Sequence, residues 1–185
     1  MYNSDGMSRL VLALAGLMSA GVSGLLLVQC ATSQEAPPAK ASHSLPDHVW
    51  KVYTNVRFQY KICYPEDLLV PQGEAENSDG RRFVAKDGGK LIVFGQNNAL
   101  DETLSDRFED TVSRLAGASG AATYKVIKPN WFVASGQNEQ TIFYTKTLLG
   151  HQQFKSFELT YNKSTSGVYK PVIGRIVSCF ADLAR

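Results

Sequence analysis

Between Ala122 and Tyr161 four apolar-rich segments, 122–127, 131–135, 141–148 and 154–161, follow one another across short polar turns. Strands joined by such turns pair antiparallel, so this stretch commits the chain to an antiparallel sheet. What precedes and follows it decides what the sheet packs against. Phe58, Tyr60, Ile62 and Tyr64 alternate with Gln59, Lys61 and Cys63, the period of a half-buried strand, which Pro65 ends. Arg82–Lys86 and Leu91–Gly95 flank Asp87-Gly88-Gly89-Lys90, where the two glycines supply the positive φ of a tight hairpin. Leu91-Ile92-Val93-Phe94 is apolar without alternation and predicts a central strand covered on both faces.

Two segments carry helical periodicity. Asp101–Ala116 begins with two candidate caps, Asp101 and Thr103, and repeats Leu104, Phe108, Val112 and Leu115 before Gly117 closes it. From about Tyr169 to Ala184, Val172, Ile173, Ile176, Val177, Phe180 and Leu183 form a second stripe, with Pro171 placed in its first turn. The order of strands, helix, strands and helix predicts an α+β domain. Its antiparallel sheet has about six or seven strands and a helix on each face.

Ahead of this domain, Arg9 is followed by the uncharged run Leu10–Val28, interrupted by polar side chains only at Ser19 and Ser23. The run reads as a secretion signal or membrane anchor and stands outside the fold. Met7, just before Ser8-Arg9, offers a second start that omits Asp5. Leu27-Val28-Gln29-Cys30-Ala31 resembles the lipobox of bacterial lipoproteins, which implies acylation at Cys30; Gln29 stands where that pattern has a small residue. Lipidation at Cys30, ordinary cleavage just after it, and retention as a single-pass inner-membrane anchor remain open, and each exports the domain. Ala31 is not the acid that holds many lipoproteins at the inner membrane, which turns the expectation toward the periplasmic face of the outer membrane. Residues 30–48, rich in Pro, Ala and Ser, read as a flexible tether, leaving 49–185 as one domain.

The strand Phe58–Pro65, the hairpin, the mid-chain helix and the terminal helix together resemble the PsbP-like fold. That α/β/α sandwich is shared by the photosystem subunit PsbP, a Ran-binding import factor, DcrB-type lipoproteins and type VI secretion effector chaperones. Asn130-Trp131-Phe132-Val133-x-Ser135-Gly136 is similar to a segment of small exported proteobacterial proteins. The resemblance implies protein binding or service to assembly and secretion, and it carries over no binding residue.

No motif for a catalytic or cofactor site emerges. His43, His48 and His151 have no ligand spacing, so no metal is expected. Glu74–Gly80 lacks the acid that an EF-hand needs at Ala75 and reads as a solvated loop. The glycine-rich phosphate loops, G-x-S-x-G and H-E-x-x-H are absent from the domain, and Ser119 and Ser135 read as ordinary loop and strand serines. The expectation is no enzyme and no cofactor.

Cys63 and Cys179 admit two readings. If the terminal helix covers the Cys63 face they bridge; otherwise Cys179, at helical spacing from Ile176 and Phe180, behaves as a small buried hydrophobe. Charge is polarised along the chain, with 11 acids and 5 bases in residues 66–110 against 3 acids and 9 bases in 111–185. One reading is mutual neutralisation in the fold. The other is a basic face of Lys125, Lys128, Lys146 and Lys155, with Trp131 as a recognition aromatic, for an acidic partner or anionic lipid headgroups. Export argues against nucleic acid. The functional expectation is a membrane-tethered, non-enzymatic module that binds a protein partner or supports envelope assembly. The alternatives are a small-ligand or lipid carrier and an envelope hydrolase.

Overall fold

The computed structural model describes residues 47–184, so the apolar run, Cys30 and most of the tether lie outside the described residues. The antiparallel stretch forms β6 (Ala121–Lys128), β7 (Trp131–Gln137), β8 (Thr141–Gly150) and β9 (Gln153–Asn162). Before it come β1 (Trp50–Asn55), β2 (Tyr60–Pro65), β3 (Val70–Glu74), β4 (Gly80–Val84) and β5 (Lys90–Asn97), then α1 (Leu104–Ala116). After it come α2 (Ser166–Cys179) and the two-residue β10 (Ala181–Asp182). The strands make two sheets where the sequence predicts one. Seven strands run in the order β3-β4-β5-β9-β8-β7-β6, and β1-β2-β10 form a separate sheet. All the pairings are antiparallel.

Alternation sorts the large sheet into two faces. On one, Phe132, Ala134, Phe143 and Phe154 receive Leu104 and Phe108 of α1. On the other, Phe83, Leu91, Val93, Phe157 and Leu159 pack against Tyr60 and Ile62 of the small sheet and Tyr169, Val172 and Ile176 of α2. The helices thus lie on opposite faces.

Local chemistry accounts for the element ends. Thr103 caps α1, its hydroxyl accepting from the Asp106 N–H at 3.1 Å while Asp106 accepts from the Thr103 N–H at 3.2 Å. Gly117 closes α1 at φ 66°. In the β4–β5 turn only Gly88 has positive φ; Gly89 lacks a side chain because the Tyr169 ring occupies that space. β5 is covered on one face alone: Leu91, Val93 and Gly95 are buried, whereas Ile92 and Phe94 stay partly exposed. α2 begins five residues before Pro171, which is interior to the helix, and Leu183 lies past its end, 40% exposed. No helix among the described residues is long and apolar enough to cross a membrane.

Candidate binding surfaces

α1 lies over β6, β7 and β8 and reaches β9 at Phe154 and Glu158, and the opposite face is covered over β4, β5 and β9 by the small sheet and α2, with Ile142, Tyr144 and Leu148 of β8 partly packed into that core. A helix with its side chains is roughly 10 Å across and strands are about 4.8 Å apart, so one helix cannot clothe a seven-stranded face. Each face therefore keeps one open quadrant, and the two are diagonal: β3–β5 on the α1 side, and β6 and β7 with the partly covered β8 on the α2 side.

The β3–β5 quadrant presents Val70, Val84, Ile92 and Phe94 with Arg82 and Lys90 between them. An open groove of about 440 Å³ crosses it, lined by Gln72, Gly73, Gly80, Val84, Ile92 and Phe94 among others. Two irregularities lie along the groove. The β3–β4 register shifts between Pro71 and Glu74, and Gly80 offers no side chain. A Cβ at Gly80 would collide with the Val93 carbonyl oxygen and come within 2.8 Å of the Phe94 Cα. Arg114 of α1 borders the quadrant, its two guanidinium nitrogens meeting the Glu158 carboxylate at 3.1 and 2.5 Å. Glu158 is buried, and its hydrogen bonds raise the Arg114 pKa.

A second, polar cleft of about 380 Å³ lies between the small sheet and β3–β4. Tyr53 donates to Glu74 at 2.5 Å, Asn55 donates to the Tyr53 oxygen at 3.1 Å, and the Arg81 guanidinium reaches Glu74 at 2.9 Å while lying 5.0 Å from the Tyr53 ring. Burial, reinforced by the Glu74 carboxylate, pushes the Tyr53 pKa up, and burial does the same to Tyr60. These phenols hold their protons and fasten the two sheets. Glu74, expected in a solvated loop, is a member of this network.

Cys63 of β2 and Cys179 at the end of α2 form a disulfide, with Cα atoms 5.6 Å apart. The four lysines do not make one face. Lys125 lies on the α1 side, 5.9 Å from the Phe108 ring, because it stands three positions along the strand from Lys128, an odd offset that reverses the direction. Lys155 is fully buried and ion-paired with Asp182, so it leaves the expected surface altogether. Lys146 donates to the Val177 and Phe180 carbonyls at 3.2 and 3.4 Å, capping α2, and burial lowers its pKa. Lys128 is exposed and shares the β6–β8 quadrant with Lys146 and the partly exposed Trp131, whose neighbour Phe132 points into the α1 core. His48 bonds Asp67 at 2.7 Å, and His151 sits in the β8–β9 turn. Among the described residues no three metal-ligating side chains gather. Gly80 and the Arg114–Glu158 pair escaped the sequence reading, since neither belongs to a motif.

No protein-family model matches the sequence, and no curated protein matches it either. Solved structures decide the fold. The chain is similar to cyanobacterial PsbP (CyanoP) from Synechocystis sp. PCC 6803, with a TM-score of 0.53 at 15% identity over 79% of this chain and 99% of that one. The fold is PsbP-like. A mutant of the protein Mog1 is similar at a TM-score of 0.55 and 8% identity, covering 73% of this chain and 96% of its own. At these identities the likeness extends to the fold alone. The likeness thus describes the framework, and the open quadrants and their chemistry are read from this chain.

Proposed function

We propose that the protein is an exported, membrane-tethered, non-enzymatic module that binds a protein partner through the open β3–β5 face. The observation that carries this reading is the groove over Gly80, with an apolar floor of Val84, Ile92 and Phe94, the exposed cations Arg82 and Lys90 along it and Asp79 at its margin. Apolar anchors surrounded by charge are the usual anatomy of a protein interface, and the two cations suit a partner segment that carries carboxylates. The apolar run and the tether account for the anchoring side of the proposal. The groove is open along its length, which favours a macromolecule over an enclosed small ligand.

Site-specific photo-crosslinking in the full chain tests this. A crosslinking residue at Ile92 should trap one defined partner, and Arg82→Glu should abolish the adduct. The same residue at Glu109, on the outer side of α1, should trap none. Equal adducts from both positions, or a stoichiometric lipid or small molecule found in the groove by native mass spectrometry, would overturn the reading.

A further inference from the structure

The second open quadrant has a different chemistry. Its side chains come from alternate positions of β6, β7 and β8 on the α2 side: Tyr124, Val126, Lys128, Trp131, Tyr144 and Lys146, of which Tyr144 stacks on Phe157 and Lys146 is held by the end of α2, so that Lys128 presents the charge. Tyr124 is 54% exposed, Lys128 is exposed, and the other four are partly so. No acid stands among them; β6 and β7 contain none, and α2, the element beside them, contains none. Asp182 at the corner is consumed by Lys155. The acids of α1 lie on the opposite face.

Amphipathic aromatic rings beside an exposed lysine and free of carboxylates are a composition that settles at a bilayer's headgroup level. There a ring sits at the boundary with its polar atom in water, and the ammonium is attracted to anionic phosphates. A protein partner would instead be expected to meet some mixture of signs. We infer that this β6–β8 quadrant docks on an anionic lipid bilayer, the one in which the chain itself is anchored. The inference rests on the tethered-module reading. A linker over residues 30–48 reaches at most roughly 65 Å, enough for the domain to lie down on its own membrane. Because the two quadrants are diagonal, docking by β6–β8 leaves the groove on β3–β5 facing away from the lipid.

The test uses the full chain in nanodiscs, with Trp50→Phe leaving Trp131 as the sole tryptophan. Brominated lipid should quench Trp131 in an equal mixture of phosphatidylglycerol and phosphatidylcholine, and weakly in phosphatidylcholine alone. Amide exchange across Ala121–Lys128 should slow in the same anionic discs. Lys128→Glu should weaken docking on the order of tenfold, and Tyr124→Asp, at an exposed position, should also release it. A chain that stays anchored while Trp131 emission and β6 exchange are alike in both lipids overturns the inference and leaves the tethered module standing. A chain that leaves the disc altogether overturns both.

Discussion

The ammonium group of Lys155 is fully buried and ion-paired with the carboxylate of Asp182, whose side chain is 26% exposed. A strand position that reads as surface thus fastens the last strand of the chain. Asp182→Asn strands the buried charge and should cost about 3 kcal/mol in urea denaturation, the low end for a broken buried pair because Asp182 is only partly buried. Lys155→Met removes the charge with similar volume and should cost less than about 1.5 kcal/mol. Equal stability of Asp182→Asn and the parent chain would sink this account.

Reduction of Cys63–Cys179, a sequence separation of 116, releases a long loop in the unfolded chain. The loss should be about 4 to 5 kcal/mol in the chain-entropy model. Thermal unfolding with and without reductant measures it, and faster amide exchange should appear first in α2 and β10. A melting temperature indifferent to reductant would contradict the role assigned to the bridge.

Gly80→Ala drives a methyl group into the Val93–Phe94 backbone, which cannot yield as a flexible side-chain tip would. The expected cost is about 2 kcal/mol or more. Gly73→Ala meets open space and should be nearly neutral. Comparing the two by chemical denaturation separates the tight approach under the groove from a general effect of glycine replacement.

Asp87 accepts hydrogen bonds from the Tyr169 hydroxyl at 2.6 Å and the Gly89 N–H at 3.0 Å. Partial burial raises its carboxyl pKa, but these bonds outweigh it and leave the net value below the ordinary range. The stabilisation from Asp87 is therefore complete above about pH 3.9, the unfolded value, and is lost as pH falls through the lowered folded value. Asp87→Asn should flatten the fall in stability below about pH 4, read as unfolding midpoints across an acid series. An unchanged slope would assign the acid sensitivity to other carboxylates such as Asp67.

The meander β6–β9 and the β4–β5 hairpin were legible because period-two alternation and a glycine turn are local signals. β1, β3 and β10 were not. β3 holds Pro71 and Gly73 and a register shift, which erase the pattern, and β10 is two residues defined only by pairing to Lys61 and Tyr60 of β2. Pro171 misled the reading of α2 because proline favours a first turn; here α2 forgoes the hydrogen bond it would have made. The opposed directions of Lys125 and Lys128 follow from their odd spacing in a strand and were readable. The burial of Lys155 depends on where the C-terminus returns, which no local pattern encodes. The open quadrants are likewise a property of how many strands one helix can cover.

The small sheet joins strands from the two ends of the described chain, β1 and β2 with β10. As the chain folds from its N-terminal side, β2 must wait for Ala181–Asp182 before its second edge is paired and for Cys179 before Cys63 is bridged. The meander, made of near neighbours, has no such wait. Completion of the small sheet therefore reports that residues 179–182 have been delivered to it, and a chain cut before them would retain an unpaired strand edge and a lone thiol by which quality control can recognise it.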